Sequence, residues 1–257
     1  MSTPSLCKSL HGSSTEIWFF VNKKMERGKA RYEEYGMIHS LYFITRKPSV
    51  TDAEFHRYWR DVHGPIAKRI VQLRGYVQSH RIPFAGMNSS YDGVAEAWLE
   101  NEAAMEALRK SAEYLQGALV DEANFIDLTR VEWMITTDHV ILDGPRTSQQ
   151  AKLIFQLKRK PGWSLTDARQ YWLEVHGPIV TKLPGLRRYV QSHLVDVAYA
   201  YAEPKWDGVA QLWVDDATAL QKLLDSKEFK EGAWPDGEKF LDLSIARSLV
   251  AQEHRVI

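Results

Sequence analysis

The sequence of 257 residues lacks the features of several large protein classes. Its single cysteine, Cys7, excludes an internal disulfide framework and a cysteine-based zinc site. Lysine plus arginine and aspartate plus glutamate each number 33, so no cationic excess exists to bind a nucleic acid or a membrane surface. No apolar run reaches the roughly 18 residues of a membrane span, and no secretory signal is visible. These absences predict a cytoplasmic protein with no nucleic-acid or membrane partner.

What the chain does contain is an internal repeat. Residues 41–80 align without a gap with residues 154–193, at an offset of 113 and with 17 identities in 40 positions. The match resumes at Asp-Gly-Val-Ala (92–95 and 207–210) and at Phe-[Ile/Leu]-Asp-Leu (125–128 and 240–243). The duplication predicts two domains, 37–143 and 151–257, joined by an exposed linker. Residues 1–36 have no counterpart and are expected to be a disordered or non-native extension, with Met37 as an alternative start.

Each copy shows the same succession of sequence patterns. An apolar segment precedes a capping box that begins with Thr51 in the first copy and Ser164 in the second, and an amphipathic helix follows. Gly64-Pro65 and its counterpart Gly177-Pro178 are expected to interrupt these helices. Two alternating segments predict strands, a second helix is expected over 102–114, and a fourth strand over 125–135.

The succession βαββαβ predicts an α+β fold made of two tandem ferredoxin-like repeats. One such unit covers a single face of its sheet with helices and leaves the other bare. Two units in one chain cover these bare faces against each other. The expected architecture is therefore an intramolecular dimeric α+β barrel.

These motifs together resemble the EthD family. The resemblance rests on an aromatic-rich first helix, His-Gly-Pro, Tyr-Val-Gln-Ser-His and Asp-Gly-Val-Ala-x-x-Trp, all present twice. It implies a dimeric α+β barrel fold, and it places the histidine of His-Gly-Pro at the pocket. Family members of this kind include cofactor-free isomerases of muconolactone type and fungal polyketide decarboxylases.

Three residues of the first copy are the candidate catalytic groups: His63, His80 and Glu96. An imidazole titrates near neutral pH and suits general acid–base catalysis, although a histidine at a helix end also stabilises the exposed carbonyls. His80 alternates with Tyr76 and Gln78 on one strand face, which faces either solvent or a wet pocket. Glu96 is expected beside these histidines, and only the first copy has a carboxylate there.

Aromatic and polar neighbours complete the candidate site. The predicted substrate-binding residues are Tyr58, Trp59, Tyr76, Gln78 and Trp98, and packing in the core is the simpler interpretation of the aromatic ones. Their counterparts in the second copy, taken as a degenerate pocket, are His176, His193, Tyr189, Gln211 and Trp213. His139 and His254 are expected to be solvated strand ends.

No cofactor is expected, because metal and nucleotide motifs are missing. His56 and His63 could share a helix face, but the second copy has Arg169 in place of His56. The sequence therefore predicts no metal site.

The leading hypothesis is a cofactor-independent isomerase or lyase (decarboxylase-like) that acts on a small cyclic phenolic or lactone-type substrate. Histidine-mediated proton transfer would carry the reaction. Two alternatives stay open: a non-catalytic binding or auxiliary protein that serves a partner oxygenase, and a haem-binding α+β barrel protein with a His-Gly-Pro histidine as axial ligand. A homodimer of the whole chain is also open.

Overall fold

A computed structural model describes residues 37–200 and 202–257, so the extension expected at residues 1–36 lies outside the described residues. Eight antiparallel strands form one closed barrel, in the order β1-β3-β2-β8-β5-β7-β6-β4. We call residues 37–143 the first half and residues 151–257 the second half. The strands are β1 Ile38–Ile44, β2 Leu73–Arg81, β3 Gly93–Leu99, β4 Glu132–Leu142, β5 Ala151–Leu157, β6 Leu186–Leu194, β7 Gly208–Val214 and β8 Arg247–Arg255.

The barrel closes through two seams between the halves. Strand β2 pairs with β8, and strand β4 pairs with β6, so each seam joins one strand from each half. The predicted barrel within one chain is therefore confirmed as an eight-stranded antiparallel barrel in a mixed α/β fold.

Helices cover the outer face of the barrel. Helix α1 has three consecutive segments, Asp52–Tyr58, Trp59–His63 and Gly64–Ala67, and α4 repeats them as Leu165–Tyr171, Trp172–His176 and Gly177–Val180. The later helices are α2 Glu102–Lys110, α3 Glu113–Ala118 with Leu119–Phe125, α5 Ala217–Asp225, and α6 Glu228–Ala233 with Trp234–Phe240. Among the residues described, no helix is long and apolar enough to cross a membrane.

The expected interruption at Gly-Pro is wrong, because α1 and α4 each continue for another turn. The middle segment of each is a π-helix, and in α1 the N–H of Gly64 donates to the carbonyl of Trp59, five residues back. Pro65 has no backbone N–H to donate, and the wider π-helical turn accommodates the missing hydrogen bond. The sequence predicts the caps correctly: the hydroxyls of Thr51 and Ser164 accept the N–H groups of Glu54 and Asp167.

The predicted fourth strand also differs from the structure. Phe125 ends helix α3 and is buried at 1% exposure, and the strand begins only at Glu132. The helix expected over 102–114 ends at Lys110, because Ser111 adopts an extended conformation. The Ser111 hydroxyl then accepts the N–H of Tyr114 and caps the start of α3, which the sequence interpretation missed.

Side chains alternate between the interior of the barrel and its outer face. The interior holds an apolar cluster at one end, with Leu41, Phe43, Val94, Ile154 and Leu249 among its members. On the outer face of each half, a second set of side chains packs against the helices. We call the space between the sheet and the helices of each half its helix–sheet layer.

Candidate functional site

His63 forms a buried dyad with Asp121 in the first helix–sheet layer. Its Nδ1 lies 2.9 Å from Oδ2 of Asp121, while the Tyr58 hydroxyl donates to Oδ1 at 2.6 Å. The residue is 4% exposed, and burial lowers the pKa of His63 although Asp121 favours the charged form. A carboxylate can only accept, so Nδ1 carries the proton and Nε2 is left as a proton acceptor. This orientation suits a general base.

The second half repeats the dyad. His176 Nδ1 lies 2.8 Å from Asp236 Oδ2, and the Tyr171 hydroxyl donates to the same carboxylate at 2.8 Å. Lys239 adds an ion pair to Asp236 at 2.9 Å. The dyad thus joins two helices in both halves and is not by itself what distinguishes them.

His80 lies on the outer face of β2 at the centre of a hydrogen-bonded chain. Gln78 donates its amide to the Trp59 carbonyl at 2.7 Å, so its Oε1 faces His80 Nε2 at 3.1 Å. That nitrogen must carry the proton, and Nδ1 of His80 therefore accepts from Nδ1 of His56 at 2.9 Å. Nε2 of His56 is left as a buried acceptor without a hydrogen-bond partner, 3.8 Å from Asp52.

His80 stays neutral throughout the physiological pH range. Burial lowers the pKa of His80 to about 3, and His56 and His254 add to the shift. We therefore assign His80 to holding His56 and helix α1 in place. His63 and His80 lie in the same layer but have different partners: Asp121 for the first, Gln78 and His56 for the second.

The second half has a shorter version of this hydrogen-bonded chain. Gln191 donates to the Trp172 carbonyl at 2.8 Å and faces His193 at 3.2 Å. Arg169 replaces His56 and donates to the carbonyl of Leu194 instead. Burial lowers the pKa of His193 to about 3, as in the first half.

The expectation that His139 and His254 are solvated strand ends holds only for the position of His254, the last but one residue of β8. Both are half-buried and lie within seam strands, β4 and β8. The His139 ring lies 4.5 Å from that of His193, and the His254 ring lies 6.4 Å from that of His80. Each half thus receives one imidazole from the other.

Glu96 lies beside neither His63 nor His80, so that part of the sequence interpretation is wrong. It points into the barrel, where Oε1 accepts from Ser79 at 2.6 Å and lies 2.5 Å from Nζ of Lys152. Ser79 and His80 are consecutive on β2 and face opposite sides of the sheet. Burial opposes ionisation of Glu96, but the Lys152 charge outweighs it and holds its pKa well below the usual range. Glu96 is an ionised partner of a buried lysine.

Two of the three predicted tryptophans, Trp98 and Trp213, also face the barrel interior. Trp98 stacks on His39 at 4.2 Å and donates to Asp138 at 3.2 Å, while Lys152 lies 4.5 Å from the centre of the Trp213 ring. Gln211 is inside as well, bonded to Ser192. The helix–sheet layers contain the remaining predicted residues. These are Tyr58, Trp59, Tyr76, Gln78, His176, Tyr189 and His193.

The sequence interpretation missed a group of ionisable residues in the first layer. Tyr42 and Trp133 stack with their rings 6.0 Å apart, and the Arg109 guanidinium lies 5.8 Å from the Trp133 ring. Glu122, next to Asp121, is half-buried near Tyr42 and Tyr114, whose pKa values it helps to raise. Burial and the neighbouring Asp121 raise the pKa of Glu122 to about 7.

In the second half this group is absent. The aligned residues are Phe155 for Tyr42, Phe229 for Tyr114, Leu224 for Arg109 and Gly237 for Glu122. A Cβ atom at Gly237 would lie 3.6 Å from Cε1 of His176, so this position borders the dyad imidazole. The differences were visible in the aligned copies, but α3 was not predicted as a helix. Nothing therefore placed them in the layer that contains His63.

Metal binding finds no support in the part of the chain that the structure describes. No group of three or more His, Cys, Asp or Glu side chains there is arranged to hold a metal ion. The close His56–His80 pair uses its facing nitrogens on each other.

Comparison with known proteins identifies two matching segments. Residues 47–129 and 160–244 each match the EthD domain, and together they span more than half of the chain. A solved EthD family protein from Bacillus halodurans is 24% identical, with 41% of this chain and 99% of that chain covered and a TM-score of 0.34. The comparison with curated proteins gives no match.

Two further solved structures are similar over most of the chain. An anthrone oxidase-like protein is 10% identical, covers 87% of this chain and 94% of its own, and has a TM-score of 0.56. A chlorite dismutase variant from Candidatus Nitrospira defluvii is 7% identical, covers 87% and 93%, and has a TM-score of 0.52. At these identities the likeness shows a shared α+β barrel fold alone.

Proposed function

This chain belongs to the EthD family, and from that premise we propose that its first half is a cofactor-independent isomerase or lyase. Its substrate would be a small cyclic compound of phenolic or lactone type. His63 would transfer the proton, with Glu122 in the supporting role that the sequence interpretation gave to Glu96.

The observation that carries the proposal is the difference between the two helix–sheet layers. Both contain a His–Asp–Tyr arrangement, but only the first half has Glu122 next to its dyad aspartate, and only its layer also contains Arg109 and two additional tyrosines. Apolar residues would satisfy the packing, as the second half demonstrates. Burying ionisable groups costs stability unless they are paired and hydrogen-bonded, and groups with shifted pKa values cluster at functional sites.

The geometry supports a simple proton-transfer scheme. Neutral His63, oriented by Asp121, accepts a proton at Nε2 from a carbon next to a carbonyl group, which leaves an enolate. Glu122 titrates near neutral pH, and its protonated form donates to the enolate oxygen or to a second ring carbon. His63 then releases its proton to solvent and Glu122 takes one up, which restores both groups for the next turnover. In a decarboxylation the same acid would protonate the carbon that carbon dioxide leaves.

Aromatic side chains of the first layer would bind the ring of the substrate. Tyr42, Trp59 and Phe125 belong to or border one packed cluster on the outer face of the sheet, and Trp133, which stacks on Tyr42, borders a second. Flat apolar walls with a few hydroxyl groups favour a planar or nearly planar ring. Gln78 and His80 act as positioning residues, because they fix helix α1 through the Trp59 carbonyl.

We also propose that the two halves are ferredoxin-like units. Around the barrel, the strands of the first half follow the order β4-β1-β3-β2, and those of the second half follow β8-β5-β7-β6. The matching orders support two equivalent units that were joined in one chain.

The haem alternative fits the residues poorly. His63 and His176 do bond a carboxylate through Nδ1, as metal-ligating histidines often do. Each ring, however, is packed 5.2–5.3 Å from a phenylalanine and is at least nine-tenths buried between helices. A porphyrin beside either Nε2 would have to separate these helices. A Soret band that shifts on haem addition in wild type and not in His63→Ala would contradict this conclusion.

Hydrogen exchange tests the proposed reaction. The protein is incubated in D₂O with a panel of small lactones and phenolic carboxylic acids, and ¹H NMR follows deuterium uptake and product formation. We expect turnover by wild type and His176→Ala, and its loss in His63→Ala. Equal exchange in wild type and His63→Ala would contradict the proposal. Tight binding without exchange would favour the non-catalytic binding protein.

A further inference from the structure

A pocket of about 240 Å³ opens at one mouth of the barrel, away from the His63 dyad. Its wall is formed by Thr45, Ser90, Tyr91, Arg130, Glu132 and Arg247. The volume is below the roughly 300–1,000 Å³ typical of sites for drug-sized ligands, so it suits a small molecule. Nothing in the proposed proton transfer uses this pocket.

Arg247 provides a fixed cationic wall. One guanidinium nitrogen donates to the Tyr91 hydroxyl at 2.8 Å and to Glu132 at 2.9 Å. The guanidinium also lies 5.7 Å from the Tyr91 ring and 5.8 Å from the Trp206 ring, so aromatic faces hold it on two sides. Its side chain is 40% exposed, and none of its other N–H groups is used in these contacts. The remaining donors are available to a ligand.

Arg130 supplies a second guanidinium from the short helical turn Leu128–Arg130. Its side chain forms no hydrogen bond or ion pair with any other described residue, and it is exposed on the pocket wall. The aligned residue in the second half is Ile245, so the charge is not required by the fold. An arginine without a partner, beside one held rigidly, favours recognition of an anion.

The charges in the pocket wall determine which kind of anion the pocket favours. Glu132 is already neutralised by Lys205 at 2.6 Å and by Arg247, yet it would repel a doubly charged ligand more than a singly charged one. Tyr91 forms part of the pocket wall, but its ring is buried at 3% exposure. We propose that this pocket binds a small organic carboxylate, held by Arg130 and Arg247.

Calorimetric titration with sodium benzoate tests the proposal. We expect saturable binding to wild type, at least about tenfold weaker binding to Arg130→Gln, and an intermediate affinity for Arg130→Lys, since charge-assisted hydrogen bonds are the stronger ones. Arg69→Gln is the matched control, because Arg69 is exposed in the turn that follows helix α1 and the substitution changes the net charge by the same amount. The control should bind benzoate as wild type does.

Three results would overturn the proposal. They are no saturable binding to wild type, equal affinities of Arg130→Gln and Arg69→Gln, and tighter binding of inorganic phosphate than of benzoate. Arg130→Gln removes no hydrogen bond or ion pair to another described residue, so the thermal unfolding of this variant should match that of wild type. Because this pocket is separate from the His63 dyad, the hydrogen-exchange test can fail without affecting it.

Discussion

The two helix–sheet layers are built on one plan and filled differently. Each places a histidine of a π-helical segment against an aspartate of the last helix, with a tyrosine on the same carboxylate. Around this shared arrangement the first layer has Glu122 and Arg109, where the second has Gly237 and Leu224. The second half therefore shows what these positions need for packing alone. Whatever the first half has in addition requires another explanation, and chemistry is the one we propose.

The largest expected effect comes from the dyad. His63→Ala should reduce turnover by about 10²–10⁴-fold, the usual contribution of a general acid–base group, while His176→Ala should change it far less. Steady-state kinetics on a substrate found by the exchange screen would measure both. Equal losses from the two substitutions would end the distinction between the halves.

Inside the barrel the halves also differ, with Glu96 in the first aligned with Gln211 in the second. Lys152→Met should lower the free energy of unfolding by about 3–5 kcal/mol, because it leaves Glu96 buried without its cation. Adding Glu96→Gln, which copies the second half, should restore a large part of that loss. Urea denaturation measures both variants.

An exposed ion pair serves as the control for this experiment. Arg74 and Glu100 are 2.9 Å apart, with side chains 47% and 61% exposed. Arg74→Met should therefore cost less than about 1 kcal/mol. A comparable cost for Lys152→Met would show that the barrel interior is more hydrated than its burial indicates.

Glu122→Gln should reduce turnover by about 10²-fold, the lower end of the acid–base range, because an amide can still donate a hydrogen bond. If protonated Glu122 is the acid, wild-type kcat falls as pH rises through about 7, and the variant loses that limb. Glu113→Gln makes the same charge change at an exposed position of α3. A wild-type pH profile in Glu122→Gln would contradict the assignment.

The pH dependence of stability should be alike in both halves. Burial lowers the pKa of His80 and of His193 to about 3, so between pH 3 and about 6.5 the unfolded chain binds more protons than the folded one. Stability therefore decreases as pH falls through this window, by up to about 1.4 kcal/mol per pH unit for each histidine. His80→Gln and His193→Gln should each flatten this slope equally in urea denaturation at a series of pH values. Unequal slopes would reveal a difference between the layers that the structure does not show.

The barrel was predictable because the two copies can be aligned by their sequences, and because the periodicities within each copy are local in sequence. The caps at Thr51 and Ser164 and the alternation of β2 needed only neighbouring residues. Glu96 shows where such reasoning ends. Alternation along β3 groups it correctly with Trp98, but it does not reveal which face of the sheet that group occupies. Lys152, 56 residues later in the sequence, places Glu96 in the barrel interior because it supplies the buried charge with which Glu96 pairs.

The dyads and the missed residues show the same limit. His63 was a candidate, but its partner Asp121 lies on a helix that the sequence interpretation assigned partly to a strand and partly to no element. Glu122 was missed for the same reason. Its carboxylate is unremarkable until the fold buries it next to Asp121, the partner of the His63 imidazole.

The two seams of the barrel, β2–β8 and β4–β6, have a consequence for how this protein can change. In a barrel made from two identical chains, every substitution occurs twice, and a change that improves one site equally alters its copy. Here one covalent chain spans both seams, so each substitution occurs once. One half can accumulate groups that destabilise its packing while the other retains the apolar residues that hold the barrel together. Joining the units thus separates the demands of stability from those of chemistry, which a symmetric pair of chains cannot do.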